Sequence, residues 1–101
     1  MLAMQADMWD ASGQLSGFTP IVQRIAERAR TFDGDVLLLQ GDSHRFLVDN
    51  PLADGDPVHG VPYPVANLTR IVVEGETASE WLRLTIDPRA EQLFTWERVP
   101  V

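Results

Sequence analysis

Four apolar residues, Val36-Leu37-Leu38-Leu39, run without a polar break into Gln40-Gly41-Asp42-Ser43-His44. An uninterrupted apolar run reads as a strand buried on both faces. Such a strand needs cover on each side, which restricts the chain to layered architectures. The segment before it fixes the connection. Thr19 is a capping residue type, and Pro20 at the first helical position sacrifices no hydrogen bond. Ile21, Ile25 and Ala29, with Val22 and Ala26, recur at helical spacing. Gln23, Arg24, Glu27, Arg28 and Arg30 fall on the other, solvated face. The pattern predicts a helix over Pro20–Phe32 that stops at Asp33-Gly34. Upstream, Leu2-Ala3-Met4 is a short apolar run that opens into the polar segment from Gln5 to Asp10. Strand, helix and strand in that order predict a crossover between parallel strands. Gln5-Ala6-Asp7 then comes to the same sheet edge as Gly41-Asp42-Ser43-His44.

That edge is where the chemistry-bearing residues gather. Gly41 lets the chain turn as the strand ends. Asp42 and His44 follow at the carboxyl end of a core strand, where layered α/β folds place their sites. A carboxylate oxygen and a neutral imidazole nitrogen both ligate divalent transition metals. The plain alternative is a turn with a solvated polar cluster. A second histidine, His59, lies in Asp49–Ala66, a stretch holding Pro51, Pro57, Pro62, Pro64, Gly55 and Gly60. The composition predicts a long loop acting as a lid or mobile segment, with His59 exposed on it.

Beyond the loop the pattern is β. Leu68–Val73 is rich in β-branched residues, and Trp81–Ile86 alternates with Leu82, Leu84 and Ile86 on one face. Asp87-Pro88-Arg89 is a turn signal, and Leu93–Val99 alternates again. Three successive strands predict an antiparallel meander. The expected class is therefore α+β, a strand-helix-strand unit followed by that meander.

The chain has 101 residues, a length suited to one domain. Its net charge of −7 argues against a nucleic-acid backbone as partner. All eight basic residues are arginine. With no cysteine, disulfides and thiolate chemistry are excluded. No apolar window is long enough for a membrane span, and Met1–Asp10 has neither the basic nor the apolar region of a signal peptide.

The wording of several segments is specific. Val36–Asp49 (VLLLQGDSHRFLVD), Asn67–Gly75 (NLTRIVVEG), Trp81–Pro88 (WLRLTIDP) and Leu93–Val99 resemble the carboxyl-terminal part of calcineurin-like metallophosphoesterases. They are most similar to a bacterial subgroup with Gly-Asp-x-His where most members carry Gly-His-x-His. Met4–Trp9 also resembles the segment preceding the helix in that subgroup. The resemblance implies part of a β-sandwich flanked by helices, with a two-metal site. Its ligands come from Asp-x-His, Gly-Asp-x-x-Asp, Gly-Asn-His-Asp/Glu, a lone His and Gly-His-x-His, in chain order. Gly41-Asp42-Ser43-His44 matches the fifth motif. His44 matches its second histidine, a metal ligand. Asp42 stands in the place of the other histidine, either as a metal ligand or as a group that accepts hydrogen bonds or positions water. Gln5 falls near the lone histidine's place and offers a weaker, neutral oxygen beside the metal. Arg45 is the candidate for orienting a substrate phosphate. The first three motifs have no counterpart in these residues.

Two expectations follow. On the first, the chain is the carboxyl-terminal piece of a phosphoesterase that hydrolyses phosphate esters with water activated by a divalent metal (manganese, iron or zinc). Asp42 and His44 alone supply fewer ligands than a catalytic site needs, so the piece by itself is expected to be inactive and to hold no metal tightly. On the second, it is a non-catalytic module that associates with itself or with a partner. Parallel strands expect cover on both faces and the single helix covers one, so apolar surface is expected to seek a second copy or a missing amino-terminal half.

Overall fold

The computed structural model describes residues 1–9, 15–41, 45–74 and 80–100. Helix α1 spans Thr19–Thr31 and is entered through a 3-10 turn over Leu15–Phe18. Pro20 stands in the first turn, as its fixed φ favours. Thr19 does not cap. Phe18 occupies the capping position without a side-chain bond, and the Thr19 hydroxyl is engaged with His59. Val22, Ala26 and Ala29 form the buried stripe, while Ile21 is 46% exposed. The helix ends one residue before Phe32, and its carbonyls are met from another element. The Asn67 side-chain amide donates to Ala29 O at 2.8 Å and Gly34 O at 2.7 Å, with a longer contact to Phe32 O. Carbonyls orphaned by a helix end are satisfied in this way.

The main sheet holds β1 (Leu2–Ala3), β2 (Val36–Gln40), β3 (Leu47–Asp49) and β4 (Leu68–Val72), in the order β1-β2-β4-β3. β1, β2 and β4 run parallel, with Leu2 opposite Leu38 and Leu38 opposite Arg70. β3 returns antiparallel on β4. The parallel crossover expected from strand, helix and strand is therefore present. Side chains of Leu38 and Leu68 face α1 and pack with Val22, Ala26 and Ala29. Leu37 and Ile71 point to the opposite face by the alternation of the strands, and both are fully buried.

Two expectations are corrected. The first is the three-stranded antiparallel meander. Leu68–Val72 joins the mixed sheet beside β2, and of the three segments β5 (Glu80–Ile86) and β6 (Phe94–Pro100) pair with each other as a separate two-stranded antiparallel sheet. The physical reason lies in the patterns. Leu68, Arg70, Ile71 and Val72 are all buried, as in a strand covered on both faces, whereas β5 alternates between half-buried and exposed residues. The chain is thus a small α+β domain with a mixed sheet and an antiparallel hairpin. Leu82, Leu84 and Ile86 do share a face with Phe94 and Trp96, because Leu84 lies opposite Trp96 and Ile86 opposite Phe94. The hairpin is tied to the main sheet where Arg98 meets Glu74 at 3.0 Å and lies 4.5 Å over the Phe46 ring.

The second correction concerns Asp49–Ala66, which is neither open nor structureless. Leu52, Val61 and Val65 enter the same core cluster as Met8, Leu38 and Leu68. The Asn50 amide donates to Val65 O at 2.8 Å while its oxygen accepts from Leu52 N, which closes the loop at its base. Asp56 and Val61 exchange backbone hydrogen bonds of 2.8 Å in both directions. Just before Asp56, Gly55 adopts φ 80°, and a Cβ there would lie 2.7 Å from Val61 O. The segment is a packed layer beside α1, covering the same face of the sheet.

Replacing Asn67 by alanine should lower unfolding free energy by about 0.5–1.5 kcal/mol, because the part-buried Ala29 carbonyl and the exposed Gly34 carbonyl lose their donor. Urea denaturation followed by circular dichroism measures this, and an unchanged midpoint would contradict the capping role.

Candidate functional site

The carboxyl edge of the parallel strands was expected to assemble the site. β1 leads into Gln5 and β2 into Gly41, and the Gly41 N–H donates to Gln5 O at 3.1 Å. The two segments are therefore adjacent. Gly41 is favoured by this approach rather than by an unusual backbone angle. A Cβ would sit 3.1 Å from the Gln5 carbonyl oxygen, tighter than ordinary contact. The Gln5 side chain is exposed, and its backbone carbonyl is the atom engaged. Asp42, Ser43 and His44 lie outside the described residues. Arg45 is exposed at a bend just before Phe46. Phe46 N–H donates to Glu74 Oε2 at 3.2 Å, which binds the start of β3 to the end of β4. Phe46, Val73, Trp81 and Leu82 line a cavity of about 240 Å³ at this edge, with Glu74, Glu80 and Arg98 around it. Arg98 is raised above the ordinary arginine value, first by its hydrogen bond to Glu80, with desolvation opposing and the charges of Glu80 and Glu74 adding.

Under this edge lies a buried polar cluster that sequence reasoning missed. Arg70 projects from the middle of β4 and is 4% exposed. Its Nε and Nη2 donate to the two carboxylate oxygens of Asp49 at 2.7 Å each, a forked arrangement. Nη1 donates to Asp7 Oδ1 at 2.9 Å and, at 3.3 Å, to Gln40 Oε1. Trp9 lies 5.0 Å from the guanidinium carbon. Gln40 Nε2 is a buried donor with no partner among the described residues. The signal was available in principle. An arginine inside Leu68–Val73 and a glutamine closing Val36–Leu39 are polar groups in strands read as buried, and buried charge demands partners.

A second cluster locks the loop to α1. Trp9 Nε1 donates to Asp56 Oδ2 at 2.6 Å, and Asp56 Oδ1 accepts from Val58 N at 2.9 Å. His59 is fully buried, so its expected exposure is corrected. Its Nε2 lies 2.9 Å from Met8 O and its Nδ1 3.2 Å from Thr19 Oγ1. A carbonyl only accepts, so Nε2 carries the proton. In the neutral ring Nδ1 then accepts from the Thr19 hydroxyl. Gln23 Nε2 donates to His59 O at 3.0 Å. With both ring nitrogens bonded to protein, His59 is a strut and has no lone pair directed outward.

Among the described residues no group of His, Asp and Glu is arranged to hold a metal. No helix among them is long and apolar enough to cross a membrane. No family model matches the chain, and no curated protein or solved structure matches it either.

Arg70→Ala should cost about 3–5 kcal/mol, since it leaves the carboxylate of Asp7 buried without a counter-charge. The double substitution of Arg70 and Asp7 by Leu and Asn should recover part of the loss. Paired denaturation curves for the single and double variants test this. A loss in the double variant equal to the sum of the losses from the two single substitutions would mean the pair is not coupled.

Proposed function

We propose that this chain forms the carboxyl-terminal part of a metallophosphoesterase-like hydrolase, in which His44 ligates a divalent metal and Asp42 ligates it or positions its water. The observation that carries the reading is the Gly41 N–H to Gln5 carbonyl bond between parallel strands at 3.1 Å. The Asp42–His44 segment begins from a point held by two core strands, and ligands need such rigid support. The metal would act as a Lewis acid on a phosphoryl oxygen and lower the pKa of bound water. Arg45, exposed beside this edge, is suited to meeting the phosphate charge. Mn, Fe and Zn all accept this donor set. Two ligands bind weakly, so the chain alone should show negligible hydrolysis of bis(p-nitrophenyl) phosphate with added manganese.

Paramagnetic broadening of amide NMR signals by added Mn²⁺ tests the assignment. Broadening should centre on residues 41–46 and disappear in His44→Ala with Asp42→Ala. Broadening centred elsewhere on this acidic surface, or unchanged in the double variant, would overturn the reading. His59→Ala should leave the broadening in place and instead lower the melting temperature, because the Met8 carbonyl loses its buried donor.

A second reading, a self-associating or partner-binding module, draws support from β1. Among the described residues this strand pairs only with β2, and Leu2 on it is 44% exposed. On that reading sedimentation velocity gives a concentration-dependent dimer while manganese broadens nothing specific at residues 41–46. A monomer with localised broadening decides for the first.

A further inference from the structure

At the opposite, amino-terminal edge of the sheet lies a cleft of about 460 Å³ between β1, α1 and the tip of the β5–β6 hairpin. Its walls come from Leu2, Ile25, Phe32, Val36, Leu93 and Phe94. That volume falls within the ~300–1,000 Å³ range of small-ligand sites, which are mostly apolar with few polar groups. The apolar wall is not sealed. Phe32 is 58% exposed and Leu2 44%, so the cleft presents apolar surface to water.

The polar groups at its mouth have a definite sign. Arg24 and Arg28 are one helical turn apart on α1 and both border the cleft. Among the described residues Arg24 makes only a long contact of 3.8 Å to Glu27, with both side chains 61% exposed. Arg28 makes no ion pair among the described residues. The acid at the mouth, Asp35, is not paired with either arginine. Arg70, Arg83 and Arg98 are held by carboxylates at 3.0 Å or less, whereas Arg24 and Arg28 have no such close partner among the described residues.

We propose that this cleft binds an amphipathic carboxylate, with the apolar chain lying between α1 and the hairpin tip and the carboxylate meeting Arg24 and Arg28. Arginine presents a planar fork matched to a carboxylate, and the helix positions both forks on one side of the mouth. This site is independent of the metal reading, being at the other end of the parallel strands.

Titration calorimetry with dodecanoate and with dodecyltrimethylammonium, below their micellar concentrations, separates charge recognition from greasiness. Dodecanoate should bind and shift the amide signals of Leu2, Ile25, Phe32 and Phe94. The trimethylammonium probe should bind more weakly by about tenfold or more, the worth of a charge-assisted contact. Arg24→Glu with Arg28→Glu should reverse the preference. Both positions are on the exposed face of α1, so the variant is expected to fold, and its far-ultraviolet spectrum and melt check this. Leu2→Glu, which puts a charge into the cleft itself, should weaken dodecanoate further. Equal binding of the two probes, shifts mapping elsewhere, or a self-associated chain whose dimer dodecanoate cannot dissociate would each overturn the proposal.

Discussion

One guanidinium ties the four strands of the main sheet together. Arg70 on β4 binds Asp49 on β3, Gln40 on β2 and Asp7, which follows β1. Every polar atom of the fork has a partner, so the charge is compensated where it is buried. Such a network is a poor source of net stability, since desolvation offsets most of the attraction. Its effect is on geometry. Shifting β3 or the segment after β1 in register would strand a carboxylate or the guanidinium without a partner. A purely apolar cluster would tolerate such shifts at smaller cost. The sheet order and the path of Gln5–Trp9 are thus specified by charge, while the energy of folding comes from Leu37, Leu38, Leu68, Ile71 and their neighbours.

The same network carries outward to the loop. Trp9 stacks on Arg70, donates to Asp56 and meets the His59 ring edge-on at a centroid distance of 5.5 Å. His59 then reaches Met8 and Thr19, and Gln23 closes on the His59 carbonyl. A line of polar contacts therefore runs from the middle of β4 through residues 7–9 and the loop to the first turns of α1. It explains why a segment rich in proline and glycine packs as a layer. Its backbone is fixed by Asn50 and Asp56, and its few apolar residues, Leu52, Val61 and Val65, suffice to seal it.

What was legible in the sequence was local and apolar. The parallel pairing of β1 with β2 followed from an amphipathic helix between two apolar runs, and the Gln5–Gly41 meeting followed from that. What failed was long-range and polar. Sequential strands usually pair, so Leu68–Val72 was joined to the hairpin, yet its continuous burial marked it as an interior strand. His59 reads as a loop histidine because nothing in its neighbours reveals Met8 and Thr19, which are brought to it by the fold. Arg70 and Gln40 were passed over because their partners lie on separate elements. Thr19 was assigned to the helix cap by type, and tertiary structure used its hydroxyl elsewhere.

The way these acids are used bears directly on any metal at the carboxyl edge. Asp7 and Asp49 are held by Arg70, Asp56 by Trp9 and the loop amides, and Glu74 by Arg98 and Phe46 N. A cation drawing on any of them would have to break a buried or bridging contact first, at a cost of a few kcal/mol for each lost charge-assisted bond. His59 is excluded on the same ground, both nitrogens being occupied. The described side chains are thereby arranged to hold the edge rigid and to compete for no ligand role. On the reading proposed above, a metal at that edge would be held by Asp42 and His44, with any further ligands from outside the described residues. On that reading the acids that build the frame are separate from the groups that would meet the metal, so the frame would stay folded whether or not an ion were bound.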